Sequence, residues 1–530
     1  MSSTITSSIP GDLASLAEHA HQRLGERRSL WFEGGWVTNT ETLERARRLH
    51  RAFAELGLGK GRIGALCMIN DPLIYPVFQG IFRTGGAAVP VMFQLSASEL
   101  RFILEDTRAH LVVTDAANLE KVKEAVLGLD SVQTIVARGV EADPDHDPPI
   151  LRLETLLESE PQLTLPRIDS GDLSLLLYTS GTTGKPKGAM LSHANLIASA
   201  RASAAASEFD RIEKPRVSIS AMPMAHIFGV GVMNGGYLVP ERLADGYMVQ
   251  LVWFDPKRFL ELIQEHRCAT MPAVPTMLAL LLNHPESRNY DLTSLEDVVC
   301  GAAPLPVELA RAFEKRAGCR VREIYGMTES TGMGSANRSS DPAKPGSAGR
   351  AYPDHEIGIQ DDEGRFLPVG ERGEVVIKGP SVMMGYLNRP EATAETVRDG
   401  WLHTGDVGYL DDDGFLFIVD RKKDMIIRGG ENIYPAEIEE VLYRHPAVAE
   451  AAVVGVPDEV YGESVLAFVA LKGGFEPGDE LAGELRAFVK QHVTPFKAPG
   501  EIRFLEALPK SGMGKILRRE LRDQGSGVRG

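Results

Sequence analysis

Residues 174–196 combine the side chains and the backbone freedom that a polyphosphate site requires. The segment reads SLLLYTSGTTGKPKGAMLSHANL, in which a buried strand pattern at 175–178 runs into a loop of small residues and a helical pattern follows. Gly181, Gly184 and Gly188 permit positive φ angles and close backbone approach, so that successive amides can form an anion-binding nest. The hydroxyl and cationic side chains of the loop are Thr179, Ser180, Thr182, Thr183, Lys185 and Lys187. Because the spacing differs from that of a Walker A loop, we predict a polyphosphate site of another class.

The string YTSGTTGKPKG (178–188) resembles the phosphate-loop signature of the adenylate-forming superfamily. That superfamily includes acyl- and aryl-CoA synthetases, the adenylation domains of nonribosomal peptide synthetases, and beetle luciferases. Further motifs stand in the family's order, namely GAAPL (301–305), YGMTES (325–330), GWLHTGD (400–406), DRKKDMIIRGGENIYPAEIE (420–439) and PKSGMGKILRREL (509–521). The resemblance covers roughly residues 40–520 and is strongest to fatty-acyl-CoA synthetases. It implies a carboxylic acid:CoA ligase that uses ATP, Mg²⁺ and coenzyme A.

The resemblance assigns the nucleotide contacts to residues that lie far apart in the sequence. It implies that Tyr325, followed by Gly326, stacks near adenine and that Thr328 contacts the α-phosphate. Glu329 is implied to hold Mg²⁺, for which a hard carboxylate oxygen is a suitable ligand. The other implied contacts are the backbone of Gly301, Ala302 and Ala303, the ribose-binding carboxylate of Asp406, and the second ribose contact Arg421.

Two half-reactions are implied, and different residues serve each of them. Lys515 resembles the catalytic lysine that bridges the attacking carboxylate and the α-phosphate, where negative charge accumulates. Lys423 resembles the hinge about which a small domain swings. After that movement, Gly429, Gly430 and Glu431 are implied to replace Lys515 and to line the tunnel for the pantetheine of CoA. Paired glycines are equally compatible with a plain hairpin turn.

The segment SAMPMAHIFGVGVMNGG (220–236) resembles the part of the family fold that gates the acid pocket, with His226 as the gate. A general base is not required, because the attacking carboxylate is already ionised at pH 7. No aspartate stands in this segment, which argues against an amino-acid substrate. The candidate lining is apolar and rich in methionine, and it comprises Met224, Phe228, Met233, Met271, Met277, Met327 and Met333, with depth left by Gly229, Gly231 and Gly332. We therefore predict a medium- to long-chain fatty acid as substrate.

Other functions of the same machinery stay open at this point. One is an aryl-acid ligase of the 4-coumarate or benzoate type, and another is an acyl-AMP ligase that feeds a carrier protein. CoA is favoured as acceptor because no obvious extra segment separates the motifs at 346–406 and 420–439. A luciferase-like oxygenase and a non-catalytic relative are disfavoured, the latter because the phosphate loop and the charged site residues are all present.

Alternating patterns predict the elements that must position these residues. Helical periods alternate with short apolar runs over 40–130 and again over about 172–325, which is typical of parallel α/β structure. Short strands and turn signals at 346–420 indicate a small β-rich unit, and Pro435 marks the start of a helix in an α+β region beyond it. We predict an α/β fold with a large N-terminal domain (1–420) of two α/β subdomains plus the β-rich unit. A small mobile α+β domain (424–530) is expected to follow.

Composition narrows the partners further. The chain of 530 residues has a formal net charge of −16, which argues against nucleic acid or an anionic membrane surface as a partner. No apolar run approaches the ~18 residues of a membrane span, and the first residues lack the pattern of a secretory signal. The four cysteines are far apart, so we expect free thiols in a reducing compartment, the cytoplasm. The oligomeric state, including a homodimer, is left open.

Overall fold

Capping residues and buried apolar runs define the elements of the first 206 residues. A computed structural model describes residues 9–179, 186–510 and 515–526. The Thr38 side chain and Glu41 form a capping box at the start of the second helix, which satisfies backbone donors there. The helices are α1 (Leu13–Leu24), α2 (Asn39–Glu55), α3 (Ile74–Arg83), α4 (Ala97–Thr107), α5 (Leu119–Val126), α6 (Leu153–Leu156) and α7 (His193–Ala206). The strands are β1 (Arg28–Phe32), β2 (Gly35–Thr38), β3 (Ile63–Cys67), β4 (Ala87–Pro90), β5 (Leu111–Asp115), β6 (Thr134–Arg138), β7 (Ile150–Arg152), β8 (Leu173–Thr179) and β9 (Lys187–Ser192).

Strands and helices alternate again up to residue 351. The strands are β10 (Val217–Ser220), β11 (Tyr247–Gln250), β12 (Thr270–Ala273), β13 (Asp297–Cys300), β14 (Arg320–Tyr325), β15 (Ser335–Ala336) and β16 (Arg350–Ala351). The helices are α8 (Ile227–Gly235), α9 (Pro256–His266), α10 (Pro275–Asn283) and α11 (Val307–Ala317). Strands β10, β12, β13 and β14 are parallel neighbours, so their carboxyl ends share one edge of the sheet.

The remainder forms the β-rich unit and the C-terminal domain. The first comprises β17 (Glu356–Gln360), β18 (Gly373–Lys378), β19 (Gly385–Tyr386), α12 (Pro390–Thr396), β20 (Val397–Arg398), β21 (Trp401–Leu410) and β22 (Leu416–Arg421). The second comprises β23 (Ile426–Arg428), β24 (Glu431–Ile433), α13 (Pro435–Tyr443), β25 (Val448–Asp458), β26 (Gly462–Leu471), α14 (Asp479–His492), β27 (Glu501–Phe504) and α15 (Arg518–Gly525). Pro435 stands in the first turn of α13, as predicted.

In the part of the chain that the structure describes, these strands form four sheets. One has the order β19-β9-β8-β4-β3-β5-β6-β7, and another has β16-β15-β14-β13-β12-β10-β11-β1-β2. The β-rich sheet runs β17-β18-β21-β20 with β22 on β21, and the C-terminal sheet runs β24-β23-β26-β25 with β27 on β26. The predicted fold class, a large N-terminal α/β domain followed by a smaller C-terminal domain, is confirmed. Within the described ranges, no helix combines the length and the apolar character needed to cross a bilayer.

One local prediction was wrong because of long-range pairing, and the same kind of pairing mixes the strands of the two α/β stretches. The segment after the phosphate loop is a strand before it is a helix, because β9 pairs with β8 on one side and β19 on the other. The two α/β stretches also exchange strands. Strands β8 and β9 join the sheet of the first stretch, whereas the N-terminal hairpin β1–β2 joins the sheet of the second through β11.

Candidate functional site

The ends of the predicted phosphate loop are fixed by the β8–β9 hairpin. Ser180, Gly181, Thr182, Thr183, Gly184 and Lys185 lie outside the described residues. Thr179 and Lys187 flank them and are directly paired across the hairpin. The Thr179 hydroxyl donates to Glu329 Oε1 at 3.4 Å, and Lys187 Nζ lies 5.2 Å from the ring centroid of Tyr386. One end of the loop therefore contacts Glu329, which the resemblance assigns to the metal, and the other end lies beside Tyr386.

Glu329 is a buried carboxylate, with 5% of its surface exposed, on a short 3₁₀ turn formed by Thr328–Ser330. The Tyr386 hydroxyl donates to its Oε1 at 2.7 Å, so this oxygen has two hydroxyl donors. Thr328 is also buried and precedes it on the turn. The turn closes through Thr331, which adopts a left-handed φ of 51° and donates its amide to the Thr328 carbonyl at 2.9 Å. The carboxylate is thus held in one orientation at the junction of β8, β14 and β19.

A second buried carboxylate, Asp406, joins three strands. It lies opposite Arg421 in the β21–β22 ladder, and Arg421 Nε lies 3.0 Å from Asp406 Oδ1. The Tyr325 hydroxyl, at the end of β14, donates to Asp406 Oδ2 at 2.7 Å. Burial, with the Asp406 charge as the next cause, raises the pKa of Tyr325 well above its ordinary value, so Tyr325 remains a neutral donor. The predicted adenine and ribose residues therefore form one hydrogen-bonded group.

The backbone beside this group approaches closely enough to require small residues. A Cβ at Gly326 would lie 2.1 Å from the Gly332 carbonyl oxygen, which no side chain can tolerate. Gly301 follows β13, and Ala302 adopts a left-handed φ of 70°. Because β13 and β14 are parallel neighbours, the turn at Gly301–Ala303 and the segment Tyr325–Gly326 lie at the same edge of the sheet. Crevices outside such carboxyl ends are the usual ligand sites of α/β sheets.

Lys515 of the C-terminal domain comes close to the large domain at this point. Burial lowers the pKa of Lys515 to about 8, with Arg421, Arg518 and Lys423 adding repulsion and Asp406 opposing the shift. Burial and, after it, the charge of Lys515 lower the pKa of His226 to about 4. The structure therefore brings Lys515, His226, Arg421 and Asp406 together.

His226 occupies the cap of α8. Its Nδ1 accepts a hydrogen bond from the Phe228 amide at 3.2 Å, which orients the ring at the helix start. Because its pKa is far below 7, the imidazole is neutral at physiological pH. This geometry suits a fixed wall residue better than a proton carrier.

Gly429, Gly430 and Glu431 do not meet the other site residues in this arrangement. Gly429 and Gly430 have φ values of 60° and 85°, which are those of a two-residue hairpin between β23 and β24. The Gly429 amide donates to the Tyr461 carbonyl at 2.8 Å, and Glu431 is exposed. The hairpin that the paired glycines allow is therefore present, on the surface of the C-terminal domain.

A cavity of about 520 Å³ opens beside His226 and follows α8 toward α1, α2 and α3. Of the predicted lining, Phe228, Met233, Met271, Met333, Gly231 and Gly332 do line it. Met224, Met277 and Met327 are not among the residues that line it, and the first two are buried in the apolar cores. Gly229 serves helix packing, because a Cβ there would lie 2.3 Å from the Pro223 carbonyl oxygen. Methionine at helical spacing does not distinguish core from cavity wall.

Sequence reasoning missed two tyrosine contacts that position the site. Tyr386, which holds Glu329, follows a glycine in β19 and carries no local signal of its role. Tyr178 stands inside the predicted phosphate-loop motif, and its hydroxyl donates to Asp106 Oδ2 on α4 at 2.8 Å. Asp106 is separated from Tyr178 by 72 residues, so no spacing within a motif could have revealed it.

The chain is similar to known proteins in both sequence and fold. The family model described as AMP-binding enzyme matches residues 16–387, and that described as AMP-binding enzyme C-terminal domain matches residues 437–515. A long-chain-fatty-acid–CoA ligase of Bacillus subtilis (strain 168) is 36% identical over 537 residues, covering 97% of this chain and 94% of that protein. A feruloyl-CoA synthase of Amycolatopsis sp is 36% identical over 491 residues, covering 92% of this chain and 94% of that protein. A solved anthranilate CoA ligase in complex with anthranoyl-AMP is similar with a TM-score of 0.89 and 26% identity, covering 98% of both chains.

Gly326→Ala should damage the site without unfolding the protein. The added Cβ must displace Gly332 or its own strand end, and such displacements cost on the order of a hundredfold in kcat/KM. Steady-state kinetics with ATP as the varied substrate, together with thermal melting, measures both effects. Gly483→Ala, where a Cβ meets nothing within 4 Å, is the matched control and should leave the kinetics unchanged. Unchanged kinetics in Gly326→Ala would contradict the close approach described here.

Proposed function

The chain belongs to the AMP-binding enzyme family, and from that membership we propose that it activates a medium- to long-chain fatty acid. As an AMP-forming acid–CoA ligase, it couples two displacements. The carboxylate oxygen attacks the α-phosphorus of ATP and releases pyrophosphate, and the thiol of CoA then attacks the acyl carbon and releases AMP. The observation that carries the choice of acid is the cavity beside His226, which is lined mainly by apolar side chains and extends the length of α8. Such a lining suits an alkyl chain.

In this proposal, the Asp406 carboxylate accepts hydrogen bonds from the ribose hydroxyls. Each of its oxygens already has a protein partner, in Tyr325 and Arg421. A carboxylate offers about four acceptor positions, so the ribose adds to these contacts and need not replace them. Adenine then lies along Tyr325 and the backbone turn at 301–303, which the shared sheet edge supports.

Glu329 fits the role of a Mg²⁺ ligand. It is a buried carboxylate beside the phosphate loop, and Tyr386 and Thr179 hold one of its oxygens. Proteins commonly hold Mg²⁺ through one or two carboxylates together with substrate phosphates, so a single buried carboxylate beside the phosphate loop suits this ion. Bound there, Mg²⁺ would neutralise phosphate charge, while Thr328 on the same turn contacts the α-phosphate.

Lys515 supplies the cation at the reacting centre of the first displacement. Its burial beside His226, Arg421 and Asp406 supports this placement, because a desolvated cation interacts strongly with charge that develops nearby. His226 forms the wall between the reacting carboxylate and the acyl cavity. The neutral ring at this position does not compete with the carboxylate for a proton.

The second displacement requires a different arrangement of the small domain. Lys423 is exposed on a 3₁₀ turn directly after β22, which supports a hinge at 420–424 between the two domains. The Gly429–Gly430 hairpin is thin and exposed, as a segment that later approaches CoA would have to be. The four cysteines are free thiols, which supports the cytoplasm as the compartment.

Adenylation should weaken as the pH rises through about 8. Lys515 has a lowered pKa of about 8, so its charge is present below that pH and is lost above it. The profile of kcat/KM for acid-dependent ATP–pyrophosphate exchange measures this ionisation in the free enzyme. Lys515→Arg keeps its charge to much higher pH and should not show the decline, although its rate at pH 7 is expected to be lower. Lys490→Arg exchanges an exposed residue of α14, and this variant should show the same decline of kcat/KM as the wild type. If kcat/KM declines at the same pH in the wild type, Lys515→Arg and Lys490→Arg, Lys515 is excluded as the source of the decline.

Activity should rise with chain length until the cavity is full. Each buried methylene contributes up to about 0.8 kcal/mol, or roughly fourfold in kcat/KM. AMP release with CoA across straight-chain acids from acetate to palmitate, with benzoate and 4-coumarate included, measures the profile. Gly231→Leu adds a side chain to the cavity wall and should move the maximum to shorter acids, whereas Gly483→Ala should not.

Three outcomes of that panel would contradict the proposal. A maximum at acetate would exclude a deep acyl cavity, and a maximum at an aromatic acid would indicate an aryl-CoA ligase. Pyrophosphate exchange without CoA-dependent AMP release would indicate transfer to a carrier protein.

A further inference from the structure

Three polar side chains lie together in the wall of the cavity, at the end of α8 opposite His226. Tyr75 and Gln79 lie four residues apart on α3, so both side chains project from the same face of the helix. Tyr237 follows the end of α8 and faces them. All three line the cavity, and the hydrogen bond from Gln79 to the Tyr237 hydroxyl joins the two elements. We call Tyr75, Gln79 and Tyr237 the distal polar cluster.

The hydrogen bonds of this cluster are incomplete. Gln79 is 2% exposed, and its Nε2 donates to the Tyr237 hydroxyl oxygen at 2.9 Å and to the Leu13 carbonyl at 3.4 Å. Its Oε1 is buried and has no hydrogen-bond partner among the residues that the structure describes. Buried polar side-chain atoms are almost always paired, so an unpaired amide oxygen in a cavity wall calls for a partner.

Tyr237 has a proton to donate in the same place. Its oxygen accepts from Gln79, and in the described part of the chain its own hydroxyl proton has no recorded acceptor. Burial raises the pKa of Tyr237 to about 12, so the hydroxyl stays protonated at any physiological pH. The neighbouring Tyr75 hydroxyl is already committed, because it donates to Gln250 Oε1 at 2.6 Å. The cluster thus offers one acceptor and one donor side by side.

We propose that the distal polar cluster recognises a hydroxyl group on the alkyl chain of the acid. A hydroxyl both donates and accepts, so it can donate to Gln79 Oε1 and accept from Tyr237. A plain methylene at the same place would leave both groups unpaired. This inference rests on the proposed fatty-acid activity and narrows it to hydroxylated acids, with Gln79 and Tyr237 as the residues that determine the preference.

The length of α8 sets the position of that hydroxyl. His226 caps the helix, and Tyr237 follows its last residue by two positions. Eleven residues at about 1.5 Å each place Tyr237 roughly 16 Å from His226 along the helix axis. An extended chain advances about 1.2 Å per bond, so the hydroxyl is expected roughly 13 bonds from the carboxylate. Hydroxyl groups near the carboxylate would not reach the cluster.

The experiment compares matched acids in matched enzymes. The probes are octadecanoate, 12-hydroxyoctadecanoate and 2-hydroxyoctadecanoate, and the measurement is kcat/KM for CoA-dependent AMP release. The wild-type enzyme should favour the 12-hydroxy acid over both others. Tyr237→Phe and Gln79→Met should each lower the ratio of 12-hydroxy to plain acid by about fivefold to tenfold, the size expected for one neutral hydrogen bond. Activity with octadecanoate should persist in both variants.

The control is Met233→Leu, which changes the cavity wall without changing its polarity. In this variant, the ratio of kcat/KM for the 12-hydroxy acid to that for the plain acid should match the wild-type ratio. Tyr237→Phe preserves the shape of the ring, so it alone decides the question if Gln79→Met does not fold. Equal ratios in wild type and both variants would overturn the proposal and indicate that the cluster binds only water. Failure of every acid to release AMP would instead overturn the proposed fatty-acid activity, so the two failures are distinguishable.

Discussion

The buried carboxylate of Asp406 is the group on which the geometry of the site depends. It connects Tyr325 at the end of β14 with Arg421 at the end of β22, and thereby joins the second α/β sheet to the β-rich unit. The chain leaves Arg421 directly for the C-terminal domain, so the same contact fixes the point from which that domain starts. Loss of the carboxylate would remove a shared partner from a hydroxyl and a guanidinium together, a more costly change than the loss of one hydrogen bond.

Local charge at the site opposes the charge of the whole protein. The chain carries a formal net charge of −16, yet Lys515, Arg421, Arg518 and Lys423 are close enough to repel one another. That repulsion and burial together lower the pKa of Lys515, and the charge of Asp406 opposes them. A bound polyanion would relieve the repulsion and restore the charge of the lysine. Under the proposed function, ATP supplies that negative charge, so a locally cationic site lets an acidic protein bind an anionic substrate.

Much of the fold and of the site could be predicted from the sequence, because the relevant signals are local. Helix caps, buried strands and the motifs around residues 178, 325, 406 and 515 each lie within short segments. The pairings that join those segments are not local. Strand β9 depends on β19, almost 200 residues later, and the N-terminal hairpin depends on β11. Tyr386 and Asp106 escaped prediction for the same reason, since each meets its partner only in the folded chain.

The acyl cavity illustrates a different limit. Its apolar character followed from composition, but cavity wall and core use the same residue types at the same helical spacing. All four methionines belong to buried apolar clusters, and only the packed structure shows that Met233 and Met333 also line the cavity whereas Met224 and Met277 do not. The sequence could not predict the role proposed for Gln79 and Tyr237 either, because that role depends on polar groups that lack a hydrogen-bond partner in the described part of the folded chain.

The most direct test of the account separates the two half-reactions in one variant. Lys515 lies at the Asp406 site and is assigned to the first displacement alone, whereas the second requires a different pose of the small domain. Lys515→Ala should therefore lose acyl-adenylate formation, by on the order of a hundredfold to a thousandfold. When acyl-AMP and CoA are supplied, the same variant should still form the thioester at a rate near that of the wild type. Equal loss of both half-reactions would contradict the assignment of Lys515 and the two-pose account built on it.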